Sequence, residues 1–258
     1  MEQQAPPRIF STARRIAARR RLAAMQVRDG AARTMARELA ADAIDRLEFL
    51  RDEFPNALVI GDWTGAFSDA LERRGSTVTR ADAANILGCE EIDEVAPLGG
   101  PFALIASLGM LDTVNDLPGA LVLMRRALAP GGLAIASFAA AGTLPVLRAA
   151  MLAADGERPA PRIHPQVDVR SAGQLINRIG LASPVVDGWG FDVAYDSFDQ
   201  LIGDLRAQGM SNVLADPGPP LTRDQYRVAR ETFEDRAGPD GKIVERFEFV
   251  TFSGWSPL

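Results

Sequence analysis

Histidine is nearly missing from this 258-residue chain: His164 is the only one. No metal site needing two histidines can form within one chain, and a zinc site of the HExxH type is excluded. Cysteine is as scarce. Cys89 stands alone, so no intrachain disulfide exists, and a reducing compartment, the cytoplasm, is the simplest home. No apolar run approaches the roughly 20 residues a membrane-spanning helix needs. Net charge is −6, which gives no whole-chain case for nucleic acid. No glycine loop carries a phosphate-binding lysine, and no constellation resembles a hydrolase triad.

What is present is an ordinary soluble composition, 47% hydrophobic and 24% charged, long enough for one large α/β domain. The N-terminus is rich in arginine and poor in acid: Arg8, Arg14, Arg15, Arg19, Arg20, Arg21 and Arg28, with only Glu2 acidic before Asp29. It lacks the apolar core of a secretory signal. A transit peptide has this composition, and so has a basic surface helix on the mature protein. Residues 12 to 27 read as a helix with Ile16, Leu22 and Met25 as its apolar positions. A second helix covers residues 31 to 50, with Met35, Leu39, Ile44, Leu47 and Leu50 at helical spacing.

The most informative stretch is Ala57 to Phe67, in which an apolar strand, Leu58 to Gly61, runs into a glycine-containing turn. A helix pattern follows to Arg74, and Gly75 signals its end. In α/β folds this order builds a nucleotide pocket: small residues let backbone approach the ligand, and free helix N–H groups face it. Residues 76 to 80 alternate as a second strand ending at Ala81-Asp82. Residues 85 to 101 are weakly patterned. Phe102 to Ser107 is a buried strand. Asp116-Leu117-Pro118 starts a helix carrying Leu121, Met124 and Leu128, and Pro130-Gly131-Gly132 stops it. Leu133 to Phe138 is again uniformly apolar, as a sheet covered on both faces requires. The order predicts a doubly wound α/β sheet with Gly61 at the carboxyl end of a central strand. Further helices are expected at residues 144 to 154, 171 to 179, 198 to 207 and 222 to 235. Late strands are expected at 191 to 195 and 243 to 252.

These elements, with Pro130-Gly131-Gly132 before a strand and the turn at Gly61, resemble the class I S-adenosylmethionine-dependent methyltransferases. The runs Ile9-Phe10, Val114 to Leu121 and Asp204 to Asn212 are similar to bacterial relatives of mitochondrial complex I assembly factor 5. That group is also similar to the malonyl-acyl-carrier-protein O-methyltransferase of biotin synthesis. The resemblance implies a Rossmann-like seven-stranded sheet whose last strand is antiparallel. N-terminal helices (residues 1–50) would cover the cleft of an α/β domain (residues 51–258). It implies S-adenosylmethionine as cofactor, with contacts at Gly61, Asp62, Trp63, Gly65, Asp82 and Ser107. Asp82 would accept hydrogen bonds from the ribose diol; a turn or helix-cap role is the alternative.

The departures concern that same site. Val59 and Ala103 stand where the family carries acids, Trp63 stands in a glycine slot, and Asp112-Thr113 replaces a His-Trp pair. Around Ile92-Asp93-Glu94 no residue cleanly matches the acid expected near adenine. An inward Trp63 indole would occupy cofactor volume. Two functions follow: a methyltransferase acting on a protein, carrier-bound carboxyl or small molecule, or a catalytically degenerate assembly factor for a respiratory complex. An iron-dependent arginine hydroxylation built on two histidines is not available to this chain. His164, in a proline-fixed loop, is a candidate base or a hydrogen-bonded loop residue. Tyr195, Tyr226, Trp189 and Trp255 read as packing. The face formed by Arg14, Arg15, Arg19, Arg20 and Arg21 is either a site for an acidic protein or carrier protein, or a solvated surface.

Overall fold

A computed structural model describes residues 8–28, 30–50 and 53–258. Glu2, Asp29 and the boundary at residue 51 lie outside the described residues. The chain forms a seven-stranded mixed sheet in the order β3-β2-β1-β4-β5-β7-β6. The strands are β1 (Asn56–Ile60), β2 (Thr77–Asp82), β3 (Glu90–Glu91), β4 (Phe102–Leu108), β5 (Leu128–Ala139), β6 (Ala182–Tyr195) and β7 (Ile243–Trp255). Strands β1 to β5 run parallel, and β7 is antiparallel to both β5 and β6. The last strand is therefore antiparallel, as the family resemblance implies, and Gly61 follows a strand flanked on both sides.

Eight α-helices are described: α1 (Thr12–Gln26), α2 (Thr34–Leu50), α3 (Ala66–Arg73), α4 (Leu117–Arg126), α5 (Pro145–Asp155), α6 (Val169–Arg178), α7 (Phe198–Ala207) and α8 (Arg223–Glu234). One face of the sheet packs on α2, α5, α7 and α8 through Leu39, Leu47, Phe198, Phe233 and Phe247. The other face packs on α4 and α6 through Leu121, Met124 and Ile176. Two boundaries differ from the sequence expectation. Helix α4 ends at Arg126, and Leu128 already belongs to β5, which passes through Pro130-Gly131-Gly132. The β4–β5 register shifts between Phe102 and Leu104 to accommodate this. Strand β6 begins nine residues before the expected Phe191 and forms the sheet edge.

Helix α1 carries the main surprise. Its buried residues are Ala18, Arg19, Leu22 and Gln26. The inward stripe is thus half polar, and Ile16 and Met25 lie beside it, half-buried. Residues 9 to 11, just before it, are held at both sides. The Asn115 side chain accepts the Phe10 N–H at 2.8 Å and donates to the Phe10 carbonyl at 3.0 Å. The Ser11 N–H donates to the Val213 carbonyl at 2.8 Å.

Candidate functional site

The site lies at the carboxyl ends of β1, β2 and β4. Gly61 has φ +89, and a Cβ there would meet the Leu108 carbonyl oxygen at 2.3 Å. A glycine is required there by the close approach of the end of β4, whatever ligand is considered. Gly65, at φ +80, caps α3 with the Arg80 guanidinium 3.5 Å from where its Cβ would stand. The Asp62 carboxylate is consumed inside the turn. It accepts the Ser68 N–H and hydroxyl, both at 2.8 Å, and the Thr64 hydroxyl at 3.1 Å. Ser107, at the end of β4, is fully buried, and its Oγ has no partner among the described residues.

Asp82 ends β2 and is fully buried. Arg19 of α1 reaches it from above: Nε donates to Oδ1 at 2.8 Å and to Oδ2 at 3.1 Å, and Nη2 also donates to Oδ2. One turn earlier on the same face, Arg15 donates to Glu94 at 2.8 Å and 2.5 Å, to the Met110 carbonyl and to the Thr113 hydroxyl. Burial pulls the Arg15 pKa down, but its bonds and charge pairing with Glu94 outweigh this and leave it above the ordinary value. Trp63 is 7% exposed and packs with Leu22 of α1, Ala84 and Ile86. The basic face read from the sequence is therefore divided. Arg15 and Arg19 turn inward and are paired, while Arg14, Arg20 and Arg21 stay exposed.

What remains open at the glycine turn is a cavity of about 50 Å³ lined by Arg19, Gly61, Asp62, Trp63, Gly109 and Asp112. Beside it, toward α5 and α7, lies a cleft of about 340 Å³. Gly109, Asp112 and Arg19 line both. His164 lines the larger cleft, but its Nε2 accepts the Val213 N–H at 2.9 Å and its ring meets Phe10 edge-on. Burial lowers its pKa to about 4. The lone pair a base would use is already committed. Tyr195 is core, the Tyr226 hydroxyl donates to Asp199, Trp189 donates to the Thr251 hydroxyl, and Trp255 stacks on Phe54. No group of three metal-ligating side chains is found among the described residues.

Sequence reasoning missed the Arg15–Glu94 and Arg19–Asp82 pairs and the buried Oδ1 of Asp112, which has no hydrogen-bond partner among the described residues. The spacing of Arg15, Arg19, Leu22 and Gln26, one stripe of a helix, was the available signal.

These features define a methyltransferase-type α/β fold with its cofactor crevice at the carboxyl ends of the strands. Residues 31–182 match the family model described as a methyltransferase domain, more than half of the chain, and the chain belongs to this family of S-adenosylmethionine-dependent methyltransferases. It is 27% identical over 241 residues to the malonyl-[acyl-carrier protein] O-methyltransferase of Xylella fastidiosa, covering 85% of this chain and 80% of that one. It is 28% identical over 238 residues to the mitochondrial arginine-hydroxylase NDUFAF5 of Mus musculus, covering 84% and 69%. The YcgJ protein of Bacillus subtilis shares the fold, with a TM-score of 0.57 at 13% identity over 86% of this chain and 99% of that one.

With α1 seated as described, the cavity at the glycine turn alone is too small for the family cofactor. Ligands of its size fill pockets of roughly 300–1,000 Å³, against the 50 Å³ that remain here. The carboxylate that would take a ribose diol already holds Arg19.

Proposed function

We propose that the chain, with α1 closed as described, works as a catalytically degenerate, partner- or ligand-binding member of the methyltransferase family. The observation that carries this reading is the Arg19 guanidinium seated on buried Asp82, where a cofactor ribose would otherwise bind. Trp63, Val59 and Ala103 support it, because each replaces a residue that would leave space or an anchor for the cofactor. An assembly-factor role, exercised in the cytoplasm on an acidic protein or carrier-protein partner, fits the exposed Arg14, Arg20 and Arg21. No described helix is long and apolar enough to cross a membrane.

A second reading is favoured by the large cleft that meets the glycine turn at Gly109 and Asp112. A methyltransferase with an unknown acceptor would use that cleft, provided α1 first lifts off Asp82. Calorimetric titration of the purified protein with S-adenosylmethionine separates the two. The degenerate reading expects a dissociation constant weaker than about 100 μM. Micromolar binding would overturn it.

A further inference from the structure

The 340 Å³ cleft has two kinds of wall. Leu144, Leu147 and Met151 line it from the α5 side, and Ile202 and Leu205 line it from α7. Five arginines line it as well, and they are not equivalent. Arg15, Arg19 and Arg162 are held by Glu94, Asp82 and Asp155. Arg21 and Arg206 have no carboxylate partner among the described residues. Both are exposed, and both also line the shallow hollow outside the cleft, together with Ala24, Met25 and Arg28. They therefore stand at the mouth, where the apolar space opens to solvent. Nη1 of Arg21 lies 3.4 Å from the Ser211 hydroxyl. Ser211 and Asn212 line the cleft too, and their backbone N–H groups have no acceptor among the described residues.

Two cations lining one mouth repel each other, and an anion between them relieves the repulsion. A guanidinium meets a carboxylate or a phosphate with two parallel hydrogen bonds. An apolar chain seated further in leaves water. We propose that the cleft binds an anionic amphiphile, tail inward. Its alkyl chain lies among the α5 and α7 side chains, and its carboxylate or phosphate monoester lies on Arg21, Arg206 and the Ser211–Asn212 segment. The cleft volume falls within the roughly 300–1,000 Å³ of small-molecule pockets. The inference goes beyond the degenerate reading, because it needs no cofactor and gives the cleft an occupant of its own.

The test uses decanoate, decyl phosphate, decylamine and hexanoate, titrated calorimetrically into the full chain without cofactor. Wild type should bind decanoate and decyl phosphate at least roughly tenfold more tightly than decylamine, the scale of a hydrogen bond to a charged group. Hexanoate, four methylenes shorter, should bind at least roughly tenfold more weakly than decanoate. Whichever of the two decyl anions binds more tightly identifies the head group, and either order upholds the anionic class. Arg21→Gln/Arg206→Gln should weaken both anions about tenfold and collapse their advantage over decylamine. Arg126→Gln/Arg178→Gln makes the same change in net charge on α4 and α6, on the other face of the sheet, and should leave the ratios as in wild type. The proposal is overturned if decylamine binds as tightly as the anions, if hexanoate matches decanoate, if neither decyl anion binds, or if the two double variants behave alike. Micromolar S-adenosylmethionine binding by wild type would sink the degenerate reading while leaving these ratios to stand or fall on their own.

Discussion

Replacing Arg19 with Met removes the cation from Asp82 while keeping most of the alkyl stem. Both side chains are buried, at 8% and 0% exposure, so Asp82 is left as a lone charge in a closed site. Breaking a buried pair from one side costs about 3–5 kcal/mol. The protein can escape part of this by lifting α1 and letting water reach Asp82. Lifting forfeits Leu22 burial, about 2 kcal/mol, and the Arg15–Glu94 bonds, about 1.5–3 kcal/mol. Either route therefore loses about 3–4 kcal/mol, or roughly 6–16 °C in Tm at 2–4 °C per kcal/mol for a chain of this size. In the double variant Arg19→Met/Asp82→Asn the charge is gone from both sides. Its stability should return to within about 1 kcal/mol of wild type, because a neutral buried pair escapes the desolvation penalty. Urea unfolding of the four proteins gives the cycle. A loss below about 1 kcal/mol for Arg19→Met, or a double variant no better than the sum of the singles, would show that α1 does not close on Asp82 and refute the reasoning.

Trp63→Gly should lose about 3 kcal/mol of packing against Leu22 and Ile86, yet gain no S-adenosylmethionine binding by itself, because Arg19 still occupies Asp82. Calorimetry on Trp63→Gly and on Trp63→Gly/Arg19→Ala checks this: binding by the single variant contradicts it. Asn115→Ala should free residues 9 to 11, costing about 1–3 kcal/mol for two lost backbone contacts, and limited proteolysis should then cut ahead of α1 faster than in wild type. For pH, burial keeps the folded His164 neutral down to about 4, while the unfolded ring takes its proton near 6.5, so its share of stability is full above 6.5 and is lost as pH falls toward 4. Asp112, held to about 6, acts oppositely: its cost is relieved as pH falls from 6 toward its ordinary 3.8. Asp112→Asn should therefore be the more stable protein at pH 7 and lose more on going to pH 4.5; equal slopes in urea unfolding would contradict this.

The central sheet was legible because its strands are covered on both faces. Leu58 to Ile60, Leu104 to Ala106 and Leu133 to Phe138 are uninterrupted apolar runs, and only a doubly covered sheet asks for that. Strand β7 was legible for the opposite reason, its Phe247-Glu248-Phe249 alternation. The start of β6 was not. It is an edge strand with Pro184, Gly188 and Gly190, tolerated there because only one side needs a ladder. Strand β3, of two residues, carries no periodicity at all. In the candidate site, the sequence already put Asp82 at the end of a strand and Gly61 in the turn after one. What sits on them could not be read there, since Arg19 and Asp82 are 63 positions apart. Arginines on a helix ordinarily mean solvent, and only their shared stripe with Leu22 says otherwise.

In the proposed reading, that stripe lets a methyltransferase fold hold buried acids at the carboxyl end of its sheet without a cofactor. A carboxylate at the end of a buried parallel strand must find a donor. In this chain α1 supplies one to Asp82 and another to Glu94, and Trp63 fills the volume between helix and turn. Any cofactor must displace that arrangement before it binds. If opening costs about 4 kcal/mol, only about one molecule in a thousand is open, and the apparent affinity falls by the same factor. The neighbouring cleft is under no such constraint. Its walls are formed by α5, α7 and the loops of His164 and Asn212, and the latter side chain donates to the Pro161 and Arg162 carbonyls at 3.0 Å and 2.9 Å. On the proposed reading, seating α1 on Asp82 and Glu94 fills the space at the glycine turn from within, while the cleft toward α5 and α7 stays open.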